Sequence, residues 1–208
     1  MDEQTYTATR RSLHGVAELV IAGPQYRAGG GIKLRSAPGG FAGRSTAMRV
    51  EGVELVWDGG RLPLTGSCRS LAAAAGLEVG APGNYPDASG VDPDEPLAVD
   101  ASAARVIADW FALGDAACRR LAPEEEPVLW PEHFDLGVAV DEVNYGVSPG
   151  DADQPRPYAY VGPWTQRAGA FWNAPFGALR WAEDLPDGDA LVGFFELGRR
   201  SASSGEAG

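Results

Sequence analysis

The sequence is poor in cysteine and in basic residues, and it has no long apolar run. Two cysteines, Cys68 and Cys118, are present, and 17 basic residues face 29 acidic ones for a net charge of −12. A field of this sign repels phosphate backbones, which excludes nucleic acids and anionic membrane surfaces as expected partners. No apolar stretch reaches the roughly 18 residues that a membrane span needs.

The first residues of the chain bear on its cellular location, and the choice of basic residues bears on the type of genome that encodes it. Met1 is followed by two acidic residues, which is not the pattern of a secretory signal, and a cytoplasmic location is expected. In that compartment two isolated cysteines are expected to be reduced thiols. Lys33 is the single lysine beside sixteen arginines, a bias typical of GC-rich bacterial genomes.

A length of 208 residues favours one domain. We predict a single α+β domain over residues 1–200, with subdomains 12–122 and 127–200 as the alternative, and a disordered tail over 201–208. The α+β class follows from antiparallel strands in both halves, a long central helix and a C-terminal helix, in that arrangement along the chain.

Periodicity and turn residues give the individual elements. Strands are predicted at 16–22, 32–35, 48–50, 53–57, 61–64, 134–147, 158–161, 171–172 and 178–181. Helices are predicted at 70–75, 102–121 and 189–200. The long loop 80–96 is a candidate binding loop or a plain connector.

Two of these helices are expected to bury one face. The predicted inner face of helix 102–121 consists of Val106, Ile107, Trp110, Phe111 and Ala117. The predicted inner face of helix 189–200 consists of Leu191, Phe194, Phe195 and Leu197.

The predicted strand 134–147 supplies the main candidate for a functional residue. If it is continuous, Leu136, Val138 and Val140 point toward the core, and the same parity places Glu142 and Asn144 on that face. A carboxylate there must be hydrogen-bonded or open into a cavity. The alternative is a β-bulge that returns both side chains to solvent.

A histidine and an aspartate precede this strand. His133 and Asp135 lie two positions apart and share a face of an extended chain, so Asp135 is placed to orient His133 as a general base or to share a metal with it. A metal needs further ligands, for which Asp141, Glu142, Asp151 and Asp153 are available at spacings that match no known motif. The alternative for His133 is a structural role. The sequence assigns no metal ligands and leaves the cofactor unknown.

Aromatic and amide side chains are dense in the same region. They line either a small-molecule pocket or an ordinary core. The candidate ligand-binding residues are Asn144, Tyr145, Tyr158, Tyr160, Trp164, Trp172 and Asn173. The sequence has no Walker loop, no dinucleotide-binding glycine fingerprint, no nucleophile elbow and no zinc-helix pair.

Four motifs in this region resemble a bacterial family known only as a domain of unknown function. They occur in order over about the last 80 residues. They are Trp130-Pro-Glu-His-Phe-Asp135, Tyr145-Gly-Val-Ser-Pro-Gly-Asp151, Pro157-Tyr-Ala-Tyr-Val161 and Ala170-Phe-Trp-Asn173. The resemblance implies a cytoplasmic α+β protein and carries over no catalytic residue. The N-terminal half resembles no family.

Two functions are consistent with these observations. The first is a small-molecule-binding protein with an aromatic and carboxylate-lined pocket between the C-terminal strands and loop 80–96. The second is a small hydrolase, isomerase or lyase in which Glu142 or His133 transfers a proton, with Asp135 in support and with or without a divalent metal. The sequence indicates no oligomeric state.

Overall fold

The structure is a computed structural model that describes residues 2–86 and 88–203. The chain divides into two compact units. The first unit comprises Met1–Asp109 and Leu129–Phe134, and the second comprises Trp110–Val128 and Asp135–Gly208. Helices and antiparallel strands occur in both, which confirms the α+β class. That residues 1–200 fold as one domain stays a prediction.

The first unit begins with one continuous helix. Its parts are α1 (Glu3–Gly15), a π-helical segment (Val16–Ala22) and α2 (Gly23–Arg27). The side chain of Asp2 starts it by accepting the Thr5 backbone N–H at 2.9 Å. The predicted strand at 16–22 is therefore wrong. Every residue of the π-helical segment is buried, so its apolar run shows no amphipathic period that separates a helix from a strand.

The rest of the first unit is an antiparallel sheet with a short helix. The strand order is β6-β1-β2-β3-β4-β5, and the glycine turns of the predicted meander are confirmed at β3–β4 and β4–β5. Strand β2 was not predicted. The elements are β1 (Leu34–Ala37), β2 (Gly40–Gly43), β3 (Arg49–Glu51), β4 (Glu54–Trp57), β5 (Gly60–Pro63), α3 (Cys68–Ala74) and β6 (Val128–Trp130).

The second unit contains four antiparallel strands in the order β10-β9-β8-β7. The strands are β7 (Asp135–Val140), β8 (Val143–Ser148), β9 (Tyr158–Pro163) and β10 (Ala178–Trp181). A 3₁₀ turn (Ala182–Asp184) precedes α5 (Gly188–Ser203), which packs on β8 and β9. Long helix α4 (Ala101–Leu121) enters this unit at Trp110. Helices α4 and α5 confirm the predicted helices 102–121 and 189–200.

The predicted strand 134–147 is wrong because a hairpin turn divides it. Strands β7 and β8 pair with Val140 opposite Val143, which leaves Asp141 and Glu142 as a two-residue turn. Both have positive φ angles, 52° and 61°, as a type I′ turn requires. The sequence concealed the turn because glycine or asparagine usually occupies these positions.

Four smaller predictions are also wrong. Residues 171–172 form a turn, not a strand. Val106 and Leu197 are exposed, because each lies at the edge of its helix's apolar stripe. Residues 201–203 continue α5, and the remainder of the predicted tail, 204–208, lies outside the described residues.

Both cysteines are free and buried, which agrees with the predicted reduced thiols. Burial is the main cause that raises the pKa of each thiol, Cys68 and Cys118, to about 12. Neither is therefore a reactive thiolate. Within the described part of the chain, no helix has the length and apolar character needed to cross a membrane.

Candidate functional site

Four predicted site residues share one face of the second unit's sheet, which we call the polar face. Tyr160 pairs with Gly146, Tyr158 with Ser148, and Asn144 with Ala139. Directly paired residues point to the same side of a sheet, and Asp135 has the same parity as Ala139 on β7. The hairpin thus brings Asp135, Asn144, Tyr158 and Tyr160 together on the face opposite α4 and α5.

A tyrosine–aspartate hydrogen bond crosses this face. The Tyr160 hydroxyl donates to Asp135 Oδ2. The ring passes over two glycines: a Cβ at Gly137 would lie 2.9 Å from the Tyr160 oxygen, and one at Gly146 would lie 2.4 Å from it. Burial, followed by the nearby Asp135 charge, raises the pKa of Tyr160 well above its ordinary value. Tyr160 is thus a persistent donor to Asp135.

A second tyrosine–aspartate pair lies next to the first. The Tyr158 hydroxyl donates to Asp151 Oδ2 at 2.7 Å, and Asp151 Oδ1 accepts the Gln154 backbone N–H at 2.7 Å. Burial is the main cause that raises the Tyr158 pKa. This pair fixes the 151–154 loop against β9.

Tyr145 points the other way. It is fully buried, packs edge-to-face on Phe195 at 5.9 Å, and its carbonyl accepts from Cys118 Sγ. The prediction that Tyr145 belongs with the other ligand-binding residues is therefore wrong in its geometry. Parity on β8 separates Tyr145 from its neighbour Asn144.

Glu142 is exposed in the hairpin turn, so its predicted place on a core face is wrong. Its carbonyl accepts the Trp164 backbone N–H at 2.9 Å. The Trp164 indole N–H donates to Asn144 Oδ1 at 3.1 Å, and 65% of the Trp164 surface is exposed. Trp164 and Asn144 therefore do lie together, at the open end of the polar face.

One of the two remaining predicted residues, Asn173, covers the edge of β10. The Asn173 side chain accepts the Leu179 backbone N–H at 2.8 Å and donates to the Leu179 carbonyl at 3.1 Å. Trp172 packs edge-to-face on Phe171 at 4.9 Å. Asn173 thus acts as a substitute strand neighbour, which protects an edge that would otherwise pair with another chain.

We expect Asn173→Ala to promote self-association because it frees both Leu179 backbone groups at an exposed edge. Size-exclusion chromatography over a concentration series should show dimers or larger species that the parent protein lacks at equal concentration. Asn144→Ala, an exposed amide on β8, is the matched control and should elute as the parent. Identical elution of Asn173→Ala and the parent would contradict the edge-protection role.

An open groove in the second unit holds none of the predicted site residues. Its volume is about 510 Å³. It is lined by Arg120, Leu121, Glu196, Arg199, Arg200 and Ser203. The arginines bond to carboxylates, among them Arg120 to Asp189 and Arg199 to Asp141, so the groove carries little uncompensated charge.

The first unit contains a cluster of titratable groups that the sequence did not single out. Its centre is Glu18, which has 0% exposure and lies in the π-helical segment. One carboxylate oxygen accepts the Tyr85 hydroxyl at 2.9 Å and the other accepts the Ser89 backbone N–H at 3.0 Å. Through these two bonds, loop 80–96 contacts the first helix. Short π-helical segments such as the one that contains Glu18 are frequent at functional sites.

His14 lies one turn before Glu18 and fastens the turn after β6 to the helix. Its Nε2 bonds to the Pro131 carbonyl at 2.8 Å, and its ring stacks on Phe134 at 5.3 Å. Burial is the main cause that lowers the His14 pKa. Phe134 has a φ of 52°, a strained conformation for a bulky residue. Such strain is concentrated at functional sites.

The turn held by His14 presents Glu132. The Oε2 atom of this part-buried residue is enclosed and has no hydrogen-bond partner among the described residues. Burial raises the Glu132 pKa, the Glu132 backbone N–H and the charge of His133 lower it, and the charge of Glu18 adds a smaller raising effect. His133 itself is exposed on the outer side of the turn. The turn that contains His133 thus places the neighbouring residue, Glu132, in the cluster.

Sequence reasoning missed this cluster for a definite reason. The sequence places Glu18 in a predicted strand, and Glu132 lies next to His133, the more conspicuous candidate by residue type. One signal was available: Glu18 is the single charged residue in an apolar run, Val16–Ala22, long enough to be buried. A buried carboxylate requires partners, and the 80–96 loop supplies them.

We expect the burial of neutral His14 to make the protein less stable in acid. Because the folded pKa is lowered, the unfolded chain binds more protons, so stability is lost as pH falls through the unfolded value near ~6.5. Urea unfolding at pH 5 and pH 7.5 should show a smaller loss for His14→Gln than for the parent. His133→Gln is the exposed control and should keep the parental difference. An equal loss in His14→Gln and the parent would contradict the assignment.

The described residues provide no metal site, and comparisons with other proteins give no family for this chain. Across residues 2–86 and 88–203, no three or more His, Cys, Asp or Glu side chains are placed to hold a metal ion. No family model, curated protein or solved structure matches this chain. The resemblance to a domain of unknown function accordingly stays a prediction.

Proposed function

We propose that this protein binds a small polar molecule beneath residues 80–91 and transfers a proton to or from it with Glu132. This keeps the acid–base chemistry expected of a small hydrolase, isomerase or lyase, and it moves that chemistry from Glu142 and His133 to Glu132 in the first unit. Glu18 and His14 support Glu132.

The unpartnered Oε2 atom of Glu132 carries this proposal. A buried polar oxygen without a hydrogen bond is costly to a folded protein and is usually kept for a function or filled by a ligand. Its burial and the neighbouring Glu18 charge raise its pKa, which brings a carboxyl group nearer to the range in which it serves as both acid and base. A role in proton transfer thus explains the buried, unpartnered oxygen of Glu132, which packing alone does not explain.

The neighbours have separate roles in this proposal. Glu18 accepts two hydrogen bonds from the loop, and its charge raises the pKa of Glu132. His14 orients the turn through the Pro131 carbonyl and has a lowered pKa, so it holds Glu132 in place as a neutral positioning residue. Separated proton affinities among adjacent groups are typical of acid–base sites.

We expect Glu132→Gln to abolish the response to any ligand of this site, because the amide neither takes up nor releases a proton. The measurement is a thermal-shift screen of the parent against small polar metabolites between pH 5 and pH 8, followed by turnover assays on each compound that raises Tm. The variant itself should fold, since Gln keeps the size of Glu.

Glu142→Gln is the matched control, an identical change at an exposed turn, and should retain every shift. A compound that stabilises the parent and Glu132→Gln equally, with the same pH dependence, would show that Glu132 is outside the ligand site. Carbon NMR titration of labelled glutamate should also find a resonance that titrates above the ordinary range in the parent and is missing from Glu132→Gln.

A second candidate function is ligand binding on the polar face of the second unit. The exposed Trp164 ring, anchored by Asn144 on the same face as the Tyr160–Asp135 pair, supports it as a platform for a flat ligand. This retains the predicted small-molecule-binding protein. In the same screen, Trp164→Ala should remove shifts that arise here, and Glu132→Gln should leave them unchanged.

We also infer a cytoplasmic location and no nucleic-acid partner. Two free, buried thiols support the location, and the net charge of −12 supports the absence of a nucleic-acid partner.

A further inference from the structure

Residues 80–91 are joined to the first helix by firm contacts at both ends. At the start, the Gly80 N–H donates to the Leu19 carbonyl at 3.0 Å, and Arg27 donates to the Gly80 carbonyl at 3.2 Å. At the end, Arg11 donates to the Gly90 carbonyl at 2.9 Å, and Val91 lies so close to Gly15 that a Cβ there would be 2.8 Å from it.

The middle of this segment is attached differently. Of its described residues between 82 and 89, those that bond to the helix are Tyr85 and Ser89, and both bonds end on the carboxylate of Glu18. The residues around them, such as Asn84 and Ala88, are exposed. One side chain therefore holds the middle of the segment.

Glycines with positive φ allow the segment to change conformation. Gly83 has a φ of 76° and Gly90 a φ of 65°, and a Cβ at either would meet open space. Segments with few apolar contacts and exposed backbone open locally at low free-energy cost, and glycine joints are common in lids.

We propose that residues 80–91 are a lid, and that in the closed state the Tyr85 hydroxyl occupies the position of a ligand's own hydrogen-bond donor on Glu18. The lid opens at the glycines, and a molecule that brings a hydroxyl or ammonium hydrogen replaces Tyr85. The ligand class is then one with such a donor within reach of Glu132. This inference rests on the proposed function, because it describes access to the same site.

Hydrogen exchange of the full chain tests the lid without any ligand. Tyr85→Phe keeps the ring and removes the donor, so amides of the lid, including that of Ser89, should exchange about tenfold faster, while β3–β5 should exchange as in the parent. Tyr26→Phe, which removes an exposed hydroxyl from α2, is the control. Unchanged lid exchange, or an equal acceleration throughout the chain, would overturn the lid.

Chemical complementation tests the position of the donor. Tyr85→Ala leaves a space the size of a phenol ring, so added phenol should raise the Tm of this variant more than toluene does, and neither should stabilise the parent through this space. Equal effects of phenol and toluene on Tyr85→Ala would overturn the donor role. Neither experiment involves Glu132, so both can succeed if the Glu132→Gln result contradicts proton transfer, and both can fail if it supports it.

Discussion

Trp110→Ala is expected to lower the free energy of unfolding by about 3–5 kcal/mol, the range for emptying a buried aromatic site. Trp110 is 7% exposed, and its indole N–H donates to the Ser148 carbonyl at 3.0 Å in a buried hydrogen bond. The substitution creates a cavity beneath α4 and also leaves a carbonyl of β8 unpaired. Urea unfolding followed by circular dichroism measures the loss.

Asp109→Ala is the control one position earlier on the same helix. Asp109 is exposed, with a long contact of 3.6 Å to Arg105, so its loss should change stability by no more than about 0.5 kcal/mol. Similar losses for Trp110→Ala and Asp109→Ala would mean that the buried face of α4 is assigned wrongly.

Glu18→Ala should cost about 3–6 kcal/mol, because each hydrogen bond to a charged group contributes roughly 1.5–3 kcal/mol and two are lost at once. The Tyr85 hydroxyl and the Ser89 N–H lose their acceptor where the side chain has 0% exposure. Glu18→Gln should lie between Glu18→Ala and the parent, since the amide oxygen still accepts one of the two donors. Urea unfolding of all three proteins gives the order.

Gln4→Ala, an exposed position on α1, serves as the control and should stay within about 0.5 kcal/mol of the parent. A Glu18→Ala variant as stable as Gln4→Ala would show that the loop does not depend on this carboxylate. Hydrogen exchange of residues 80–91 gives a second reading of the same point, since the lid should open in Glu18→Ala even where global stability is compensated.

One correct prediction and one error show how far hydrophobic periodicity can identify secondary structure. In helix α4, polar residues alternate with apolar ones at a period of 3.6, so the sequence predicted its bounds to within one residue. In the π-helical segment Val16–Ala22 every side is covered, and the same method gave a strand. Burial on all sides removes the contrast on which the method depends.

Among the candidate site residues, strand parity likewise succeeds at some positions and fails at others. Parity along the single strand β9 places Tyr158 and Tyr160 on one face, and the pairing of β8 with β9 extends that face to Asn144. For Glu142, parity failed because the two-residue turn reverses the chain without glycine or asparagine. Such a turn is favoured by the pairing of its strands, which no local pattern reports.

By itself, the sequence determined the α+β class, the α4 and α5 helices, the glycine turns of the β3–β5 meander and the reduced thiols, since each depends on composition or on residues close along the chain. Only the tertiary structure decided that Tyr85 binds Glu18 and that Glu132 lies near enough for its charge to interact with both. Their positions are far apart along the chain, and their proximity depends on how the helix, the loop and the turn after β6 pack. A carboxylate pair becomes a candidate site through shared burial, which is a property of the folded protein.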